Sequence, residues 1–560
     1  MARVLGVVLV LGLATAVVPA ASASAPSSGA GIRTTAVQDR AQRVVDRRVW
    51  ASPARRGMTS MAETLLAMRL GVWQRPAGAL HPSAPSTVVF DDAPGSNVRV
   101  SAASEDLKSA CTTQSETSIV AVDDQRLVTA YNNSANGCYA LDSYSGFAYS
   151  TNGGSSWTDG GAIEPPVGGF SGGDPSLAVD HDTGRVYLAT LENAPAQNPT
   201  RVGTIETAGR SYIGVRTSDD GGKTWSAPTD GTDGLVGDHD KELLAVDNSG
   251  GPNDGTVYLA WTDFAAGQAR GVITFSRSTD HGATWSDPIR LSHTDTLYNQ
   301  GAYPVVGPNG ELYVTWTTQL TPTPGIWFTK SLDGGGTFSS PKRIRTIQGV
   351  GHALSACGRD GMNGDIRMLS WSTMAVDTTP ITDPAAPPPS RGTIYISYAS
   401  QNGTDEGDVY LIRSTDGGLT WNPPAPSLGV RVNDDTTTRD QFMQGIAAQP
   451  NGEVALFWYD RRADAANTNI EVYAARSTDG GQTFGPNLKV GDVAFEGIGN
   501  NNERDPGVAS CYMGDYMQMT PVSGGYAADW GDNRDRYPGV QGQGFRSDPN
   551  VYFSRISFPA

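Results

Sequence analysis

Short runs of β-branched and aromatic residues recur along most of this chain, bounded by clusters of Gly, Asp, Asn and Ser. One set reads Leu177-Ala-Val-Asp180, Gly184-Arg-Val-Tyr-Leu-Ala189 and Tyr212-Ile-Gly-Val-Arg216, followed by a turn. The next repeats it as Leu244-Ala-Val-Asp247, Gly255-Thr-Val-Tyr-Leu-Ala-Trp261 and Val272-Ile-Thr-Phe-Ser276. Met374-Ala-Val-Asp377 with Gly392-Thr-Ile-Tyr-Ile396 is a later copy. Such runs are strands. Three strands before each turn and one after it make a four-stranded sheet, and sheets repeated radially make a β-propeller. The expected fold is all-β.

The turns themselves are copies of one octet. They begin at Ser150, Ser218, Ser278, Ser331, Ser414 and Ser477 and end on Trp157, Trp225, Trp285, Phe338, Trp421 and Phe484. The Ser and Asp oxygens suit bonds to turn N–H groups, and the glycines accept positive φ. Asp219, Asp280, Asp333, Asp416 and Asp479 are accordingly read as turn-forming rather than catalytic. A final run (Tyr516 to Met519, Gly525 to Trp530, Val551 to Arg555) has the three-strand pattern without the octet. It is either a seventh blade or strands that close a six-bladed ring; seven is the reading adopted.

The chain has 560 residues, a formal charge of −17 and four cysteines. Residues 1–23 read as a signal peptide, with Arg3, an apolar Leu5 to Val18 stretch and Ala21-Ser-Ala23. That apolar stretch is too short to favour a transmembrane segment. A secreted, extracellular protein is expected. Residues 24–105 look like a pro-segment or flexible linker, partly helical in pattern, and 106–560 form the propeller. The acidic balance argues against nucleic acid. In an exported chain the cysteines suggest two disulfides: Cys111 with Cys138 and Cys357 with Cys511 is the proposed arrangement, two other pairings remaining open. No cofactor is expected and no metal site is assigned; structural calcium on an acidic face is the one metal considered.

In a propeller the octets lie on one face, and loops into strand one and out of strand two gather on the other. Entering strand one are Glu116, Asp174, Asp240-Lys241-Glu242, Gln300, Asp440-Gln441 and Gly514-Asp515-Tyr516; leaving strand two are Asn132-Asn133, Glu192, Asp263, Asp460-Arg461-Arg462 and Asp529-Trp530 with Asp532 and Arg534. A funnel of carboxylates, amides, arginines and an aromatic face suits a polyhydroxylated ligand. From these, Asp240, Glu242, Asp263 and Asp515 are the candidates for acid/base catalysis. Glu116, Asp174, Asp460, Arg461, Tyr516, Trp530 and Arg534 are the candidates for binding substrate.

The octets are similar to the Asp-box repeats of the sialidase (neuraminidase) superfamily, over about Glu116 to Phe558. That resemblance implies a propeller with peripheral Asp boxes. In true sialidases it also implies three arginines gripping the substrate carboxylate, a Tyr nucleophile activated by a Glu, and an Asp acid/base. The Arg-Ile-Pro signature that precedes the first Asp box in the family is missing here. Arg359 or Arg367, Arg461 and Arg534 could form an arginine clamp, and Tyr459 or Tyr516 could be the nucleophile, none of them fixed by motif. The leading reading is an exo-sialidase-like glycoside hydrolase acting, as a monomer, on a carbohydrate or glycoconjugate. A non-catalytic glycan- or protein-binding propeller and a polysaccharide lyase are the alternatives, because fold leaves function open.

Overall fold

The computed structural model describes residues 86–88, 97–102, 113–134 and 143–559, with breaks at 168, 195–209, 236, 265–270, 295, 297, 319–323, 352, 355–359, 365, 379–391, 498–510 and 539–544. Among the described residues, seven of eight antiparallel sheets follow one another around a ring, and the eighth, of Ala353–Leu354, Asp360–Met362 and Ile366–Arg367, is inserted between blades four and five. Blade one runs Gln114–Ala121, Leu127–Asn133, Ser145–Ser150 and Trp157–Ala162. Blade two is Ser176–Asp180, Arg185–Ala194, Arg210–Ser218 and Thr229–Asp230; blade three is His239–Val246, Val257–Asp263, Val272–Ser278 and Ile289–Arg290. Blade four is Asn299–Val306, Leu312–Thr318, Gly325–Ser331 and Lys342–Thr346; blade five is Thr373–Val376, Ile394–Ser400, Asp408–Ser414 and Val430–Arg431. Blade six is Gln441–Ala448, Val454–Asp460, Asn469–Ser477 and Leu488–Lys489.

Blade seven decides the ring count. Met519–Val522, Gly525–Pro538 and Phe545–Ile556 pair in order, and the outermost strand is Val98–Arg99, from far earlier in the chain. Ser86–Val88 adds a fifth strand to blade one, beside Trp157–Ala162. Described residues ahead of position 106 therefore belong to the ring. The signal-peptide region lies outside the described residues, as do Cys111, Cys138 and Cys357; Cys511 is buried and is not a free thiol. No helix among the described residues is long and apolar enough to cross a membrane.

The core is divided into seven hydrophobic clusters, one for each seam between neighbouring blades. Blades one and two, for example, share Val128, Phe147, Leu177 and Leu188, and the ring closes through Ile119, Trp157, Val551 and Phe553 of blades one and seven. This explains why each octet ends in an aromatic. Trp157 packs on Phe553, Trp225 on Phe147, Phe338 on Phe275 and Trp421 on Phe328, each on the preceding blade, at ring separations of 5.1, 5.9, 4.9 and 5.2 Å. Blade seven lacks an octet, and Phe558, just after its third strand, packs on the cluster between blades six and seven instead.

Within an octet the first and third residues do the bonding. In blade five Ser414 Oγ donates to Asp416 Oδ1 at 2.7 Å and accepts from Gly418 N at 2.8 Å; Thr420 donates its N–H and hydroxyl to the two Asp416 oxygens at 2.9 and 2.5 Å. Gly418 has φ +82°, and a Cβ there would stand 2.3 Å from the Phe328 ring, so this position demands glycine on two counts. One sequence assignment is corrected: in blade two the third residue is Asp220, bonded to Ser218, Lys223 and Thr224, while Asp219 pairs outward with Arg185 at 2.6 Å. Asp416→Ala should lower stability by about 1–2 kcal/mol through these lost bonds, without changing any activity; calorimetry beside an activity assay checks this.

Candidate functional site

Side chains reach the axis because the innermost strands carry a repeated defect. Register shifts separate Ser115 from Ser118, Asp240 from Leu243, Gln300 from Tyr303 and Phe442 from Gly445. Each shift is a β-bulge, which bends a strand and re-aims its side chains. Glu116, Lys241, Gly301 and Met443 sit in these bulges with φ of +55°, +54°, +72° and +51°, and Asp174, at the head of blade two, has φ +53°. Left-handed backbone in non-glycine residues is costly and concentrates at functional sites.

Five carboxyls from four blades meet there: Glu116, Asp174, Asp240, Glu242 and Asp515, each at most 1% exposed. Glu116 and Asp174 are held close together, and the negative charge of Asp174 raises Glu116. Asn132 joins blades one, two and seven: its amide donates to Glu116 Oε2 at 2.8 Å and to the Tyr512 hydroxyl at 2.9 Å, and its Oδ1 accepts from Asp174 N at 2.7 Å. The other Glu116 oxygen accepts from Asp515 N at 2.9 Å. Arg367 is ion-paired with Asp515, and Gln300 donates to Asp240. Lys241 Nζ lies 3.7 Å from the Tyr516 ring centre and 4.9 Å from that of Trp371. Among the described residues, both Asp174 oxygens and both Glu242 oxygens lack a hydrogen-bond donor.

Burial and mutual repulsion decide the charge state. Desolvation, then Asp240, pushes Asp174 up to about 7. Desolvation with Asp174 as the next cause holds Glu116 and Glu242 well above the usual carboxylate range. The Tyr512 and Tyr516 hydroxyls are also pushed up, by burial and the adjacent acids. Away from the axis, burial raises Asp263 and Asp529 to about 7 as well. These folded-state values exceed those of an unfolded chain, so their contribution favours the native state below about pH 4 and is lost as pH rises through 7. The octet carboxyls act oppositely: turn hydrogen bonds hold Asp280 and Asp333 at about 2, a contribution lost as pH falls from about 4 to 2. The melting temperature should therefore peak near pH 4–6 and fall by pH 8, and Asp529→Asn should flatten that fall; calorimetry across pH reads both.

Of the sequence candidates, the structure brings Glu116, Asp174, Asp240, Glu242, Asp515 and Tyr516 together. Asp263, Asp460, Arg461, Trp530 and Arg534 are not brought there. Asp460 and Arg534 belong to a repeated Trp-x-Asp-x-Arg clasp at the end of strand two. In blade six Trp458 Nε1 donates to Asp460 at 2.9 Å and Arg462 Nη2 at 2.8 Å; in blade seven Trp530 and Arg534 hold Asp532 at 2.9 and 2.7 Å. Both arginines also lie over a tyrosine of strand three, Tyr473 at 4.3 Å and Tyr552 at 4.0 Å. These polar groups fasten strand ends, and Trp530 is core. Asp263 lies beside His239, whose Nδ1 accepts from Trp261 at 3.1 Å. Arg461 is fully buried 3.5 Å from Asp440, burial lowering it to about 10. Tyr459, weighed as a nucleophile, is buried and donates to Gly531 O at 2.5 Å. Arg359 lies outside the described residues. Sequence reasoning passed over Tyr512 and Trp371, which stand in irregular chain before blades seven and five; Tyr512 directly follows a cysteine, the one local hint of a pinned position. No group of three or more His, Cys, Asp or Glu among the described residues is arranged to hold a metal ion.

The family model of the BNR/Asp-box repeat matches residues 216–227, the octet of blade two with its flanks. Residues 216–227 thus match an Asp-box repeat, and the other five octets share the pattern of that segment. No curated protein matches it. Among solved structures, a Hadza microbial sialidase aligns at TM-score 0.40 and 14% identity over 86% of this chain and 99% of that one. The NanB sialidase of Streptococcus pneumoniae aligns at 0.42 and 11% over 67% and 68%. An ulvan lyase, of a new polysaccharide lyase family, aligns at 0.45 and 11% over 84% and 96%. The fold assignment stands on the seven sheets and seven seams, and the Asp-box assignment on the octets.

Proposed function

We propose that this Asp-box protein is a secreted glycoside hydrolase of sialidase type, acting as a monomer on terminal sugars of extracellular glycans. The observation that carries the reading is the axial Glu116–Asp174 pair, two buried carboxyl residues bridged by the Asn132 amide, which also reaches the Tyr512 hydroxyl. Glycoside cleavage needs a group that gives a proton to the leaving oxygen and later takes one from water, best with a pKa near the working pH. Asp174 fits that role. Tyr512, backed by Glu116, is placed to act at the anomeric carbon, and Glu242 with its unpartnered oxygens to hold sugar hydroxyls. The catalytic assignment thereby moves from Asp240, Glu242, Asp263 and Asp515 to Asp174, Glu116 and Tyr512. The sialidases and the lyase named above have activities of this general kind, but the reading does not rest on them.

An aryl glycoside panel that includes an aryl sialoside tests it, with release of the aryl group as the expected result. Binding to a glycan array without turnover on any glycoside would make the protein a binding module. A new absorbance from an unsaturated sugar product would make it a lyase.

A further inference from the structure

Lys241 is the one lysine among the axial residues described, and its position is unusual. It occupies the blade-three bulge with φ +54° and is 3% exposed. Its ammonium spans the axis to lie over Tyr516, from the segment before blade seven, and against Trp371, from the segment before blade five. Tyr516 is itself fixed, its hydroxyl donating to Pro175 O in the segment before blade two at 2.9 Å. Nζ forms no hydrogen bond to any described residue, although acidic groups surround it. A lysine that stabilised the ring by pairing would be bonded to one carboxylate. This one is held by aromatic faces, an attraction that strengthens when the cation is desolvated, and acts on the acids as a point charge.

The groups that share its field come from every element packed around the axis. Glu116 faces it from blade one and Asp174 from blade two, both stabilised as anions by it, while Asp240 and Glu242 flank it on its own strand. Tyr512 and the Arg367–Asp515 ion pair complete the charged set from the segments before blades seven and five. Two buried carboxyl residues bridged by one amide, as Glu116 and Asp174 are by Asn132, have three states. Both protonated leaves no base, both ionised is opposed by like charge, and one proton between them supplies an acid and a base together.

We infer that Lys241 is a positioning residue that sets the proton count of this centre: its ring-held ammonium keeps Glu116 and Asp174 sharing one proton, so that the pair can both give and accept one. The inference rests on the proposed hydrolase reading for its purpose, though not for its test.

The test is an infrared pH titration of the protonated-carboxyl band, with Asp174→Asn used to assign the pair's share of it. The variants are Lys241→Met, which keeps most of the stem and its packing, and Lys241→Arg, which keeps the charge. Loss of the ammonium should move the midpoint of the pair upward by about 1 pH unit or more, as removal of a nearby opposite charge does. Lys241→Arg should leave it close to wild type. A Lys241→Met midpoint unchanged in a protein with native circular dichroism overturns the inference, as does an equal shift in both variants. If a glycoside is turned over, the pH–rate limb assigned to Asp174 should move with the infrared midpoint. Absence of turnover removes the hydrolase reading, while the infrared midpoints still decide the role of Lys241.

Discussion

Asp174→Asn should lower kcat/KM on any glycoside the protein hydrolyses by about 10²–10⁴-fold, the usual contribution of a positioned acid/base group, and should not destabilise the fold. The two halves of this expectation come from one fact. Asp174 stands among like charges, with Asp240 and Asp515 both raising it, and neither of its oxygens finds a donor among the described residues. An amide of the same shape removes a buried charge that costs stability, so the melting temperature should hold or rise, most clearly at pH 8. Asp532→Asn supplies the contrast. Asp532 is buried and held by Trp530 and Arg534, so its loss should cost stability because Arg534 loses its buried carboxylate and keeps only Asp492 and Asn97, and should leave turnover of the folded fraction alone. Equal melting losses in both variants would mean that Asp174 is a structural acid like Asp532.

That contrast also marks where sequence reasoning succeeds and where it stops. Octets and strand runs lie within a few residues of one another, and their spacing and turn chemistry are local, so six blades and the peripheral role of the octet acids are legible directly. Blade seven is legible in its three inner strands but not in its outer one, because that strand is only Val98–Arg99 and comes from the opposite end of the chain. Its seam is filled by Phe558 rather than by an octet aromatic. Of the residues entering strand one, Glu116, Asp174, Asp240, Glu242 and Asp515 meet at the axis, while Asp440 is tied to Asn467 and Arg461. Of those leaving strand two, Asn132 reaches the axial acids; Asp460, Asp532 and Arg534 do not, because the Trp-x-Asp-x-Arg pattern spends its acid and its arginine on a local clasp, and only cross-strand distances reveal that. Lys241 stood in the sequence between two acids, and its aromatic partners Tyr516 and Trp371 lie far from it along the chain. No periodicity could have joined them.

Arg99→Ala should cost about 3–5 kcal/mol, the scale for removing one partner of a buried ion pair. Arg99 is 6% exposed; its guanidinium meets Asp535 Oδ2 at 3.1 Å and Asn550 Oδ1 at 2.8 Å, and Asn550 and Tyr552 bond the same aspartate at 2.8 and 3.1 Å. Around it, residues 97–102 tie three blades. Asn97 Nδ2 donates to Val490 O of blade six at 2.9 Å, Val100 N to Val551 O of blade seven at 2.8 Å, and Ala102 N to Asp159 of blade one at 2.7 Å. A propeller keeps only short, protected strand edges at its rim, and this strand covers the outer edge of Phe545–Ile556 at Tyr552 and Phe553. Its loss should therefore do more than lower the melting temperature. Removing residues 97–102 bares the outer edge of Phe545–Ile556, a template for pairing with other chains, and should make the protein associate more than the intact chain does at the same concentration. Calorimetry on Arg99→Ala and light scattering on the deletion test the two parts separately. A deletion that melts as wild type and associates no more than the intact chain would mean that the seam of Ile119, Trp157, Val551 and Phe553 closes the ring without its strand.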